Sequence, residues 1–240
     1  MRKFAVAILL LLGLSISSTV KADVYSEPYS FWDTEVDGTA LKHNTILLVG
    51  SSVVIMGLLY MAPSSFTNWE DKDKSPFSKW WKNVSHHPVI DKDDFFLNYV
   101  THPYSGALYY MGARSAGANG FYSFLYSTAL STFFWEYGIE AFAERPSIQD
   151  LIITPVLGSM LGECFYLAKR HIVSNDEKLL GSSVLGKTTL FLIDPMTEVS
   201  RLIWDDDEEK PMNNSFQIQG MPSYSHKSGF SYGISLQFNF

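Results

Sequence analysis

Apolar positions run unbroken through TILLVGSSVVIMGLLYMA, residues 45 to 62, and stop at Pro63, which reads as one continuous apolar helix. Its 18 residues are borderline for a bilayer span. Gly50, Ser51, Ser52 and Gly57 are the small residues that let another helix approach closely. Two placements stay open, a buried core helix and a membrane-embedded one. Helices are also predicted from Phe95 to Ala143. Pro103 suits a first helical turn, where its missing N–H costs nothing, and Ala118-Asn119-Gly120 is a stop signal before the helix Phe121 to Ala143. Ser147 then caps a further helix with Asp150 three residues on, the Ser-x-x-acid form of a capping box. Pro155 is expected to break or kink that helix within two turns, with a continuation to about His171, where Lys169, Arg170 and His171 suit a C-terminus.

Beyond residue 181 the period changes from helix-like to strand-like. TTLFLIDP and SFQIQG read as β-like, and GFSYGISLQFNF alternates strictly, with Phe230, Tyr232, Ile234, Leu236, Phe238 and Phe240 on one face. Such a strand fits a lipid-facing barrel strand or an ordinary edge strand, and its final Phe resembles the terminal signal of bacterial outer-membrane proteins. Three or four strands fall short of the roughly eight that close a membrane barrel, so they must pack on the helices or pair elsewhere. The expected fold is therefore mainly α: a compact helical domain of about five helices with a short antiparallel C-terminal β segment. Four regions follow: a signal peptide over 1–22, an arm, apolar helix and charged surface segment over 23–94, a helical core over 95–180, and a β-rich segment over 181–240.

Charge and cysteine narrow the partners. Arg2 and Lys3 precede an apolar core from Phe4 to Leu14 and small residues before Ala22, the order of parts in a secretory signal peptide. Formal net charge is −7, and removal of Arg2, Lys3 and Lys21 makes the mature chain more acidic still, so a nucleic-acid partner is not expected. The single cysteine, Cys164, offers no disulfide and no lipid attachment at a mature N-terminus. Export and the final strand together point to the outer membrane or periplasm of a Gram-negative bacterium, with the membrane or the outer-membrane assembly machinery as partner. Oligomeric state and cofactors are not legible.

Gly181 to Thr188, GSSVLGKT, satisfies the spelling of a phosphate-cradling loop. It follows the polar SNDEKLL and precedes a β-like run rather than a helix, so a glycine-rich connector is expected and no nucleotide. His86-His87 before Pro88 reads as a solvated pair, and Trp80 with Trp81 as a dock for the charged segment.

The richest stretch is FFWEYGIEAFAERPSIQDLIITP, residues 133 to 155. Glu136, Glu140 and Glu144 recur every fourth residue along one helical stripe amid aromatic neighbours, and Glu144 beside Arg145 lies toward the exit. Buried carboxylates must be paired, protonated or cation-bound. Three readings remain open: a structural polar network in which Arg114, Arg145, tyrosines and helix-end amides hold Glu136 and Glu140 and fix helix register, with Ser147 and Asp150 belonging to it as a cap; a pocket in which His102, Glu136, Glu140 and Glu163 act as an acid/base set or as oxygen-rich metal ligands; and a solvated face. No H-E-x-x-H, G-x-S-x-G or Cys/His pair is present in the sequence, so no hydrolase template is met.

NYVTHPYSGALYYMGAR, then WEYGIEAFAERPSIQDLIITPVLGSMLGE and LIDPM, resemble an uncharacterised bacterial family, a domain of unknown function found in exported envelope proteins. The resemblance covers roughly residues 95 to 200 and includes Asn98, His102, Gly106, Arg114, Glu136, Glu140, Ser147, Asp150, Gly158, Glu163 and Asp194. A looser similarity to VanZ-like envelope proteins rests on Ser-x-x-Asp-Leu followed by Gly-x-x-x-Gly. The resemblance implies an exported helical domain and names no reaction. The expectation is a structural or interaction protein of the outer envelope; the alternative is a membrane-proximal hydrolase or transferase acting on lipid or cell-wall material through the same polar cluster.

Overall fold

The computed structural model describes residue 25, residues 28–63, 75–90 and 95–204, and the backbone of 215–225 and 229–239. The stretch expected to be a signal peptide, the acidic run after Trp204, the terminal Phe240 and the outward or inward facing of the last strand's side chains lie outside these described residues. The described chain is mainly helical. Its α-helices are α1 (Gly38–Met61), α2 (Pro76–Val84), α3 (His102–Arg114), α4 (Gly120–Thr128), α5 (Asp150–Ser174), α6 (Ser183–Ile193) and α7 (Pro195–Trp204). That is seven rather than about five, because two further helices occupy the region read as β-like.

The stretch TTLFLIDP is helix, not strand. Ser182 adopts an extended conformation and its side chain accepts the Leu185 N–H, starting α6, while Pro195 begins α7 at a position where no N–H is needed. A run of Leu, Phe and Ile bounded by a cap and a proline fits either element on pattern alone. Pro155 likewise neither breaks nor ends α5, which runs 25 residues through it. The proline falls early enough that the ladder loses one bond, the one the Leu151 carbonyl would accept, and then continues.

The chain divides into two compact units, one of Met1–Asn44, Gly112–Tyr122 and Phe165–Phe240, the other of Thr45–Met111 and Ser123–Cys164. In the first unit, Tyr166, Ile172, Val173, Leu190 and Ile193 form the buried apolar core. A short β1 (Val36–Asp37) pairs antiparallel with β2 (Ser215–Ser225), and β2 pairs antiparallel with β3 (Gly229–Asn239), Phe216 opposite Phe238. Gly117, at φ +91°, sits where the Glu35 carbonyl leaves no room for a Cβ.

In the second unit α3 and α5 run parallel and in step. His102 meets Thr154, Gly106 meets Gly158, and Tyr110 meets Gly162 and Glu163. The backbones touch at Gly106 and Gly158, where a Cβ on Gly158 would lie 2.6 Å from the Gly106 Cα. Small residues here admit a close approach that any side chain would prevent. The other wall is α4 and the turns after it. Ala129–Ile139 is π-helical and Glu140–Phe142 is a single 3₁₀ turn, so the predicted helix from Phe121 to Ala143 is present with two changes of pitch. Gly138 belongs to the wide part, for a Cβ there would stand 3.0 Å from the Phe133 carbonyl oxygen.

Candidate functional site

Three side chains of the second unit converge: His102 from the first residue of α3, Glu136 from the π segment and Asp150 from the first residue of α5. Each offers one ligand-type atom, and these atoms lie within 4.8 Å of one another. Their placement follows from local rules. The in-step packing of α3 and α5 brings the first turn of one against the first turn of the other, so His102 Nδ1 lies 3.1 Å from Thr154 Oγ1 and 3.6 Å from Asp150 Oδ1. Ser147 caps α5 as predicted, its Oγ accepting the Asp150 N–H at 3.2 Å. The other half of the capping box is altered. The Ser147 N–H, which the Asp150 carboxylate would receive in that motif, donates instead to Glu136 Oε2 at 3.0 Å. Glu136 thus stands where the motif puts its own acid, and Asp150 is aimed toward His102.

The segment ahead of the cap is held by main-chain bonds, Val89 N–H to Pro146 O at 3.0 Å and Ile148 N–H to Val89 O at 2.8 Å. The end of the π segment is fixed by α2. Trp80 Nε1 donates to the carbonyls of Tyr137 (2.9 Å) and Gly138 (3.1 Å), and Asn83 Nδ2 to Ala141 O at 2.9 Å. Helix ends leave carbonyls without intrahelical partners, and these two polar side chains supply donors. Trp80 therefore docks its segment as expected, whereas Trp81 is 67% exposed and does not.

Glu140, one turn after Glu136, has Oε2 buried with no hydrogen-bond partner among the described residues. Burial first, then the Glu136 and Glu144 carboxylates, a hydrogen bond shared with Glu136, and Asp150 hold Glu140 well above the ordinary carboxylate range. Glu140 therefore keeps its proton to higher pH than an ordinary carboxylate does, the direction expected when like charges are buried together. Tyr109 on α3 reports the same negative field: burial pushes its phenol up to about 12, Glu140 and Glu136 add to the shift, and a hydrogen bond with Ser52 opposes it.

The remaining predicted residues stand elsewhere. Glu163 accepts the Tyr110 hydroxyl. Tyr110 is eight residues, about 12 Å, along α3 from His102, so Glu163 is not part of the His102 cluster. Arg114 belongs to the first unit, where it donates to Ala118 O at 3.0 Å and Ser30 O at 2.9 Å and lies 4.0 Å over the Tyr166 ring. Arg145 is exposed, and Glu144 beside it is half-buried. Asp150, expected in the cap and the structural network rather than in the pocket set, is in the cluster.

One buried pair escaped sequence reading. Lys169, assigned to a helix end, is fully buried in the first unit and donates to Asp194 Oδ2 at 2.5 Å and to Ser115 Oγ at 3.1 Å. Ser115 donates to the same oxygen at 2.5 Å. A serine against a lysine invites comparison with a Ser-Lys nucleophile, but that role needs a neutral amine, and this one is ion-paired to a carboxylate. Gly181 to Thr188 is helical from Ser183 onward, and Lys187 lies 3.9 Å from Glu177. The Ser182 N–H donates to Leu179 O, the Leu185 N–H to Ser182 Oγ and the Gly186 N–H to Ser182 O, so these amides are taken by a turn and a helix cap. His86 and His87 are exposed.

No curated protein and no solved structure matches the chain. His102, Glu136, Glu140, Asp150, Lys169 and Asp194 all lie within residues 87–196, a little under half of the sequence, where a domain of unknown function (DUF3943) is found.

Proposed function

We propose that this is an exported envelope protein held at a membrane, with a structural or interaction role there. The observation that carries the reading is the outer surface of α1. The helix has 24 residues, about 36 Å of rise, which is enough to cross a hydrocarbon core of roughly 30 Å. Ile46, Val53, Val54, Ile55, Leu58 and Met61 are all exposed along it. An apolar surface of that extent facing water would be costly, at roughly 25 cal/mol for each Å². The same helix buries Asn44 and Ser52 beside Leu48 on one side, while Val53, Val54, Ile55 and Leu58 face out, as expected in lipid. A second helix, α5, is also long and apolar enough to cross a membrane. The signal-peptide pattern at Arg2 to Ala22 supports export, and the alternation from Phe230 to Phe240 supports the outer membrane.

Alkaline carbonate extraction of cells expressing the full chain, followed by separation of inner and outer membranes, tests this placement. The chain is expected to stay in a membrane pellet and to be released by detergent. Recovery in the carbonate-soluble fraction would overturn it.

A second reading, a membrane-proximal hydrolase or transferase, is favoured by one feature, the convergence of an imidazole and two buried carboxylates in one place. His102 and Asp150 in contact form the imidazole–carboxylate unit from which general bases are built. Replacement of His102 by Gln separates the readings. An envelope defect with unchanged melting temperature supports chemistry, and a defect that tracks lost stability supports structure.

A further inference from the structure

We propose that His102, Glu136 and Asp150 form a binding site for one divalent transition-metal ion of the Zn²⁺, Mn²⁺ or Fe²⁺ class. The inference concerns the cluster alone and is independent of where the protein sits in the envelope. One nitrogen and two oxygen ligands suit these borderline ions, whereas Mg²⁺ and Ca²⁺ prefer all-oxygen surroundings. Ligands at about 2.0–2.2 Å from a common ion are themselves about 3–3.6 Å apart. The three candidate atoms, all within 4.8 Å of one another, need approach the centre by only a fraction of an ångström to several tenths each, which is within side-chain adjustment.

Three structural features converge on that centre. The ligands come from three separate elements whose relative positions are fixed by close packing rather than by loop geometry: the Gly106–Gly158 contact sets His102 against Asp150, and the Ser147 N–H holds Glu136. Second, His102 already turns Nδ1 toward the Asp150 carboxylate, 3.6 Å from Oδ1, with the Thr154 hydroxyl 3.1 Å from the same nitrogen. Third, Glu140 Oε2 is buried without a hydrogen-bond partner among the described residues, one turn from Glu136. A carboxylate oxygen left in that state beside a ligand is either stranded at a cost or placed to join the ion's surroundings. The π-helical pitch carrying Glu136 fits the same picture, since π turns concentrate at functional sites.

The test uses the full chain purified in detergent, freed of metal with EDTA and then supplied with Zn²⁺ or Mn²⁺ alone. Bound metal is counted by elemental analysis, and affinity is read by calorimetry. One ion per chain and a rise in melting temperature with added ion are expected. Glu136→Gln and Asp150→Asn are expected to weaken binding by on the order of 100-fold or more, and Glu163→Gln to leave it unchanged. Glu136→Gln keeps an oxygen to accept the Ser147 N–H, so it decides the matter if Asp150→Asn fails to fold. Substitution with Co²⁺ gives an independent readout, a visible absorption that Glu136→Gln should remove. The proposal is overturned if folded wild-type chain takes up no ion, or if both cluster variants bind as tightly as wild type.

Discussion

Gly106 of α3 and Gly158 of α5 meet backbone to backbone, and this contact sets the register in which His102 faces Asp150. A Cβ on Gly158 would fall 2.6 Å from the Gly106 Cα and 3.0 Å from the Ala107 nitrogen. Both obstacles are main chain, so the helices must part for Gly158→Ala to be accommodated. Overpacking of this kind costs about 1–3 kcal/mol. Chemical denaturation of the detergent-purified chain should show that loss, and any metal affinity at His102 should fall with it. Gly57→Ala is the control: a Cβ there meets nothing within 4 Å, and alanine is the better helix former.

Much of this crossing was legible beforehand. Small residues at 106, 158 and 162 mark helices that approach closely, and the Ser147 cap follows from four letters of sequence. The helical character of 95 to 180 was equally readable from period and stop signals. What pattern could not give was which polar residue faces which. The spacing of Glu136, Glu140 and Glu163 groups them on plausible helix faces, but Glu163 goes to Tyr110 because α3 and α5 run parallel, a fact no local signal encodes. Asp150 reads as a cap residue on sequence alone, because nothing local signals that Glu136, a carboxylate 14 residues upstream of it, accepts the Ser147 N–H. TTLFLIDP is a short apolar run that satisfies strand and helix alike, and the decisive signals, Ser182 as cap and Pro195 as a new start, lie at its borders.

Lys169 and Asp194 form a buried pair whose ends are 0% and 1% exposed, so removing one partner leaves an uncompensated charge. Lys169→Met is expected to destabilise the chain by roughly 3–5 kcal/mol. The double variant Lys169→Met with Asp194→Asn should recover part of this, because a neutral amide is far cheaper to bury than a lone carboxylate. Equilibrium unfolding of the two variants beside wild type checks the order; a double variant less stable than Lys169→Met would contradict it.

Glu198 on α7 gives a pH dependence of definite sign. Burial raises its carboxyl above the ordinary value, Arg201 at 3.0 Å and Lys169 act in the opposite direction, and Asp194 and Glu177 add to the rise. The folded chain therefore holds this proton to higher pH than the unfolded chain does. Its contribution to stability is greatest below the unfolded pKa and is lost as pH rises through the folded one. Glu198→Gln should remove that loss, so melting curves from pH 4 upward should fall less steeply with pH in the variant than in wild type. Parallel slopes would show that Glu198 does not titrate in this way.

Glu136 has two separable duties, and three substitutions separate them. As an acceptor for the Ser147 N–H it completes the start of α5, and as a buried acid beside His102, Asp150 and Glu140 it sets the charge of the cluster. Glu136→Gln keeps the acceptor and removes the charge. Because it also relieves the repulsion that Glu140 meets, its metal-free stability should equal or exceed that of wild type. Glu136→Ala removes both and strands the Ser147 N–H in a buried place, a loss of about 1–3 kcal/mol before the cavity is counted. Glu136→Asp keeps the charge on a shorter arm that no longer reaches the cap but leaves a smaller cavity than Ala, so it should fall between Gln and Ala in stability and match wild type in charge. Thermal melts in EDTA rank the three as Gln, then Asp, then Ala. A glutamine variant that unfolds as readily as alanine would mean that the carboxylate's charge, not its bond to Ser147, holds this part of the fold, and the cluster would then be structural.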